Sequence, residues 1–391
     1  MTKKLSSFTR AERVLTLILA FAIDVCFSIS FSQDTDDAIN VKPGRTTSLK
    51  LPGLDTPLLL STPEAWVPEK KWPLMVYYNG TGRRPSLRLP ADYGVTIDFV
   101  VVGMTNIIPT KDSESEETEK SEETEETEET EVQDTNAEVI EQLKGVLGQL
   151  EEHASIDPGR VYIGGFGEGG RVASHIADHH PELIAGVVIL GAGIDADPAM
   201  VSTSRFRSKL PVFVGVGQHD SSLPLSLMAV PHFKGKGAVV TFDEWLGLGH
   251  ELPIGPRSDF LQQWFAIESH RGRLAELKPI VAKWKEAVLA RAKEQSDLML
   301  AAMVLGRAKR APFYRFLTRE EKALWKRIEE RLAKSPVVKK ELGIQRRYFD
   351  VRRMESEGRY TLTTWRKVAP DYLKIYVENP KELFGASPQI S

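Results

Sequence analysis

Cysteine is almost absent from this sequence, since Cys26 is the only one in 391 residues. It lies in an apolar stretch, residues 14–31, which follows basic residues and ends in the small-residue pattern Ser30-Phe31-Ser32. This arrangement is typical of a cleaved secretory signal. We therefore expect a signal peptide over residues 1–32 and an exported protein, periplasmic or extracellular. The mature chain would contain no cysteine, which excludes disulfides, thiol nucleophiles and thiolate metal sites.

An uncleaved membrane anchor is the alternative for this apolar stretch. Asp24 argues against it, because a carboxylate near the middle of a bilayer costs about 2.5–3.5 kcal/mol on insertion scales. We expect cleavage after Ser32, and no stable membrane insertion once the signal is removed.

The chain also has little net charge, −3 overall, but that charge is unevenly distributed. Residues 111–131 carry twelve acidic residues and two lysines, whereas residues 271–391 carry 28 basic and 15 acidic residues. The acidic run repels itself and has no apolar side chains to bury, so we predict a disordered insertion over residues 111–135. The C-terminal segment has helical periodicity with mixed charges, which favours a helical module with solvated faces over a nucleic-acid site.

Uniformly apolar strands alternate with helical segments between residues 45 and 270. Strands of this kind are typical of a mostly parallel sheet that helices cover on both faces. The sequence therefore predicts an α/β domain over residues 45–270 and a C-terminal helical module over residues 271–391. The predicted strands are TTSLKL, PLLLS, WPLMVYYNGTG, which ends in a glycine loop, DFVVVGM, VYIG, IAGVVILGAG, LPVFVGVGQHD and AVVTFDEW.

A glycine-rich turn, residues 165–170, joins a predicted strand to a predicted helix and allows two interpretations. Gly165, Gly167 and Gly170 match the G-x-G-x-x-G pattern of dinucleotide-binding proteins. Such a site needs an acidic residue at the end of the next strand to hold the ribose. That strand ends at residues 189–191, Ile-Leu-Gly, without a carboxylate. A nucleotide cofactor is therefore not favoured, and we expect no cofactor.

The same turn fits the G-x-S-x-G elbow of serine hydrolases, with Gly167 where the serine belongs. Asp220 ends a later strand and His250 follows the last one, which is the chain order of that fold. Over residues 45–270 the chain resembles the α/β-hydrolase superfamily, and within it the secreted esterases related to polyhydroxybutyrate depolymerases. The stretch DPGRVYIGGFGEGGRVASHIADHHPELIAGVVILGAG carries the likeness, and GQHD and GLGH extend it.

This resemblance implies a role for each position. It makes Asp220 the acid that orients the base His250, and it puts Gly167 at the position of the nucleophile. Covalent acyl transfer needs an oxygen or sulfur held against the imidazole, and glycine supplies neither. The oxyanion donors that the resemblance implies are the backbone N–H groups of Gly80 or Thr81 and of Glu168.

Two functions follow from this pattern. The first is a non-catalytic pseudo-esterase that binds a small ester, acyl or glycan fragment. The alternative is a weak or unconventional carboxylic ester hydrolase, in which Asp220 and His250 activate water directly. Ser221 and Ser222 lie on the same loop as Asp220, away from the glycine-rich turn, and are not assigned as nucleophiles. The Asp-His-His sequence at residues 178–180 lies at a helix end, where capping is favoured over metal binding, so we expect no metal site.

Overall fold

A computed structural model describes the part of the chain that bears on the predicted α/β domain and the helices after it. The described residues are 41–51, 57–79, 84–105, 125–194, 201–202, 204–206, 209–295, 298–340, 343–344, 347 and 370. The predicted signal peptide and the predicted oxyanion residues Gly80 and Thr81 lie outside them. Within these ranges, no helix combines the length and the apolar character that crossing a membrane requires.

Eight strands form one sheet, in the order β1-β2-β4-β3-β5-β6-β7-β8. The first two pairs, β1–β2 and β2–β4, are antiparallel, and the pairs from β4 through β8 are parallel. The strands from β3 to β7 are buried almost throughout, except for residues 157–160 in the first part of β5, as the apolar runs in the sequence predict. Their bounds are Thr46–Leu49 (β1), Leu58–Ser61 (β2), Trp72–Asn79 (β3), Val100–Thr105 (β4), Ile156–Phe166 (β5), Gly186–Leu190 (β6), Pro211–Gly217 (β7) and Val239–Trp245 (β8).

Within the described ranges, six helices accompany the sheet: Arg88–Asp92 (α1), Val95–Asp98 (α2), Glu125–His153 (α3), Glu168–His179 (α4), Leu223–Gly235 (α5) and Asp259–Ser269 (α6). Helix α5 is missing from the sequence prediction. Its segment contains Pro224 and Pro231 and has apolar residues on all sides, so no amphipathic stripe identifies it. Pro224 lies in the first turn, where the missing N–H costs nothing.

The prediction of a disordered insertion over residues 111–135 is wrong for its last part, because α3 begins at Glu125. Glutamate is a strong helix former, and the segment continues directly into the amphipathic half of the same helix. That half is anchored by Leu143, Val146 and Leu150, which are buried in the core. The predicted strand VYIG is longer than expected, because β5 also includes the DPGR segment that precedes it.

The predicted helical region after residue 270 is present, with helices Leu274–Glu294 (α7), Leu298–Arg310 (α8) and Arg319–Leu332 (α9). A capping box opens α9: the Glu321 N–H donates to the Thr318 hydroxyl at 3.2 Å, and the Thr318 N–H donates to the Glu321 carboxylate at 2.8 Å. These helices share an apolar core with α6, formed by Ile267, Leu277, Val281, Leu305, Ala308, Phe313, Leu317 and Trp325.

Candidate active site

The turn between β5 and α4 has the strained backbone of a nucleophile elbow, although its central residue is glycine. Gly167 adopts φ 58° and ψ −121°, a region that glycine enters freely and that L side chains enter at a cost of about 1–3 kcal/mol. Its N–H donates to the Leu190 carbonyl at 2.9 Å, and its carbonyl accepts from the Arg171 N–H at 3.0 Å. The turn is therefore fixed at both ends by backbone hydrogen bonds.

The other glycines of the turn are explained by close packing between helix and sheet. A Cβ on Gly165 would lie 2.3 Å from the carbonyl carbon of Gly169, and one on Gly169 would lie 2.0 Å from the Tyr78 carbonyl oxygen. A Cβ on Gly170 would lie 2.9 Å from the Leu190 carbonyl oxygen. The spacing that resembles a dinucleotide fingerprint thus follows from the packing of α4 on β3, β5 and β6, without any phosphate.

His250 and Asp220 form a hydrogen-bonded dyad above this turn. The Nδ1–H of His250 donates to Asp220 Oδ2 at 2.9 Å. The other carboxylate oxygen, Oδ1, accepts from both the N–H and the hydroxyl of Ser222, each at 2.8 Å. The Asp220 side chain is fully buried, whereas that of His250 is 52% exposed. The acid is therefore held rigidly, and its partner ring can be reached from solvent.

The free nitrogen of the imidazole points at the elbow. Because Nδ1 donates its proton to a carboxylate, Nε2 of the neutral ring is the acceptor. A Cβ built on Gly167 would lie 3.1 Å from Nε2 and 3.5 Å from Cε1 of His250. The structure thus brings together three of the residues that the sequence singled out: Gly167 lies next to Nε2 of His250, and Asp220 binds Nδ1 of the same ring. Glu168 follows immediately as the first residue of α4.

Contacts between the two loops hold the dyad in place. The His219 N–H donates to the Leu248 carbonyl at 2.8 Å, and the Gly247 N–H donates to the Gln218 side chain at 3.0 Å. A Cβ on Gly217 would lie only 2.0 Å from the Gly249 carbonyl oxygen. The acid loop after β7 and the histidine loop after β8 therefore pack directly on each other, which sets the distance between Asp220 and His250.

Two partners of the dyad were missed in the sequence. Ser222 is not assigned as a nucleophile from the sequence, and its hydroxyl donates to Oδ1 of Asp220. Phe166, the residue before Gly167, packs against the His250 ring with centroids 4.5 Å apart and a tilt of 33°. A G-x-S-x-G pattern leaves the second position open, so nothing in it points to this aromatic contact.

The Asp-His-His segment at the end of α4 belongs to a buried ionic cluster away from the dyad. Asp178 Oδ1 accepts from the ammonium of Lys236 at 2.6 Å and lies 2.5 Å from His232 Nε2. His179 stacks on the ring of His175 with centroids 4.4 Å apart. Among the described residues, no group of three or more His, Cys, Asp or Glu side chains could hold a metal ion. The cluster ties α4 to α5.

Comparison with known proteins agrees with this architecture. Residues 118–253 match the phospholipase/carboxylesterase family. A stretch of 91 residues, 23% of this chain, is 34% identical to NocK of Nocardia uniformis subsp. tsuyamanensis, which is named as an esterase, and the match spans a quarter of that relative's length. The strand order and the family match together confirm the predicted α/β-hydrolase fold.

Solved structures of carboxylesterases are also similar to this chain. The carboxylesterase of Bacillus cereus is 15% identical, with a TM-score of 0.42 over 54% of this chain and 93% of that one. A phospholipase/carboxylesterase from Dyadobacter fermentans is 14% identical, with a TM-score of 0.39 over 57% of this chain and 99% of that one. The closer likeness to polyhydroxybutyrate depolymerases stays a prediction.

Proposed function

We propose that this protein is an exported, non-catalytic relative of the carboxylesterases, which binds a small ester, acyl or glycan fragment at the site formed by Gly167, Asp220 and His250. One observation carries the proposal. Gly167 keeps the elbow backbone, φ 58° and ψ −121°, beneath His250 Nε2, and it has no side-chain atom that could attack a carbonyl.

The expected loss of chemistry is large. Removing the nucleophile of a serine hydrolase costs about 10⁶ in kcat, and the remaining binding and oxyanion groups give about 10³–10⁴ over water. No acyl-enzyme can form at Gly167. The dyad still offers polar recognition, because Nε2 of His250 can accept a hydrogen bond from a ligand hydroxyl, and the protonated ring can donate one to an acyl oxygen.

Direct hydrolysis by an activated water is the second candidate, and the intact dyad favours it. His250 has an acceptor nitrogen facing the elbow, a buried carboxylate behind it and a half-exposed ring. A water on Nε2 would nevertheless lie farther from the Gly167 backbone than a bonded serine oxygen does, since it must keep van der Waals distance from Cα. The attacking water oxygen would therefore lie away from the position that a serine oxygen at residue 167 would occupy.

Binding and turnover of one simple ester separate the two candidates. Ethyl butyrate is added to the wild type, the His250 ring signals are followed by ¹H–¹⁵N NMR, and released butyrate is measured in parallel. The His250→Ala variant shows which NMR signals belong to the His250 ring, because they are absent from it. It also gives the rate of butyrate release without the imidazole. We expect saturable shifts of the His250 signals and butyrate release equal to that of His250→Ala. Release that depends on His250 would favour the hydrolase, and unshifted signals without release would contradict ester binding.

Export is part of this proposal and rests on the sequence of residues 1–32. The mature protein isolated from its native host should begin at Gln33, which mass spectrometry of the intact chain measures. A cytosolic chain that retains its N-terminal residues would contradict export and leave the ligand site unaffected.

A further inference from the structure

Phe166 supports the face of the His250 ring. It is the last residue of β5 and directly precedes Gly167. Its ring lies 4.5 Å from that of His250, centroid to centroid, with a tilt of 33°. One edge of the imidazole is bonded to Asp220 and the other faces the elbow, so the contact with Phe166 restrains the ring in a direction that neither edge controls.

Gly191 provides the space in which the Phe166 ring lies. It follows β6 with φ 53°, and its N–H donates to the Gly215 carbonyl at 2.8 Å. A Cβ at this position would lie 2.5 Å from Cε2 of Phe166 and 3.3 Å from Oδ2 of Asp220. A side chain at residue 191 would therefore meet both the ring that supports His250 and the carboxylate oxygen that binds it.

The missing serine oxygen makes this support more important. In a complete triad, the imidazole is hydrogen-bonded through both nitrogens. Here the Nδ1–Asp220 bond is the one hydrogen bond to the ring among the described residues, and the torsion between Cβ and the ring is intrinsically broad. A flat aromatic neighbour limits rotation about that torsion, and its π face also attracts the ring when it is protonated.

We propose that Phe166, seated against Gly191, is a positioning residue that keeps Nε2 of His250 directed at the elbow. This inference rests on the proposed function of the Gly167–Asp220–His250 site, since it assigns a task to the ring that the site uses. It concerns the free protein, so its test needs neither a ligand nor turnover.

The test is NMR of the His250 ring in the ligand-free protein, with Phe166→Leu compared to the wild type. We expect the Nδ1–H proton to exchange with water at least about threefold faster in Phe166→Leu, as loss of a ring contact of this kind implies. Phe206→Leu is the matched control, because Phe206 is also half-buried and stacks on another aromatic ring, that of Phe233. It should leave the His250 exchange rate unchanged.

Gly191→Ala tests the same support without removing the aromatic ring. The added methyl group must displace the Phe166 ring, so we expect faster Nδ1–H exchange here as well. Thermal unfolding of every variant identifies any that is not folded. The Nδ1–H exchange rates of the folded variants then test the role of Phe166. Wild-type exchange in folded Phe166→Leu or folded Gly191→Ala would overturn the positioning role. Failure of ethyl butyrate to shift the wild-type signals would contradict only the proposed function, so the two failures are distinguishable.

Discussion

Restoring the missing hydroxyl is the most informative perturbation of the elbow. Gly167→Ser places an oxygen beside His250 Nε2, with Asp220 already bonded to the other side of the ring. The backbone at this position, φ 58° and ψ −121°, should cost the serine variant about 1–3 kcal/mol of unfolding free energy. The Cβ would lie 3.1 Å from Nε2, which is tight, but the half-exposed His250 ring can move away by a few tenths of an ångström.

Gly167→Ala is the matched control, because it has the same backbone strain and the same Cβ but no oxygen. Both variants should lose similar stability in urea unfolding. The serine variant alone should react with a fluorophosphonate, carry the label on residue 167, and hydrolyse p-nitrophenyl acetate at least about tenfold faster than the wild type. Adding His250→Ala to the serine variant should remove this gain, since the hydroxyl is activated by the imidazole.

A folded Gly167→Ser protein that neither reacts with the fluorophosphonate nor gains turnover would contradict the idea that His250 and Asp220 can activate a serine at residue 167. It would mean that the elbow and the dyad do not present a serine oxygen to a substrate, despite their distances. An equal gain in Gly167→Ala would point to another nucleophile and would contradict the role assigned to Gly167.

Three further predictions concern charge. Burial raises the pKa of Asp243 to about 7 against the opposing effect of Arg307. The stability from the protonated form is therefore complete below pH 4 and is lost as pH rises to 7, by on the order of 4 kcal/mol. Asp243→Asn should flatten the pH dependence of the unfolding free energy in urea between pH 4 and 7, whereas an unchanged slope would contradict this. Burial would raise the pKa of Asp178, but hydrogen bonds from His232 and Lys236 lower it to about 2, so the stability that the ionised carboxylate contributes is present above pH 4 and is lost as pH falls through 2. At pH 7, Asp178→Asn leaves the buried ammonium of Lys236 without its carboxylate partner and should lower the unfolding free energy in urea by about 3–5 kcal/mol. A loss below about 1 kcal/mol would contradict this role of Asp178. Deleting residues 111–131, which contain no apolar side chain, should leave the melting temperature nearly unchanged at physiological salt. The reason is that exposed ion pairs with the basic segment 271–391 would contribute at most about 1 kcal/mol each. A large drop in the melting temperature would show that the acidic run is structurally required.

The sequence predicts the sheet well because the strands from β3 to β7 are buried on both faces. Such strands leave continuous apolar runs that need no knowledge of the tertiary structure. The positions of Asp220 and His250 were predictable for a related reason: both follow parallel strands, and the ends of parallel strands meet at one edge of the sheet. The elbow glycine was identified by its place between strand and helix.

The missed features depend on tertiary contacts. Helix α5 has neither an amphipathic stripe nor a proline-free segment, so packing alone reveals it. The contact of Phe166 with His250 needs the space at Gly191, which lies 25 positions further along the chain. Ser222 orients Asp220 through a local loop geometry that its sequence does not specify.

In the proposed function, the site keeps its dyad but forms no covalent intermediate. Rapid-quench mass spectrometry of the wild type with p-nitrophenyl acetate tests this most directly, because an acyl-enzyme would be trapped as an added acetyl group on one peptide. We expect no acetylated peptide at any quench time, including peptides that contain Gly167, Ser221 or Ser222. An acetylated peptide that forms within one turnover in the wild type, and does not form in His250→Ala, would contradict the proposal that no covalent intermediate is made.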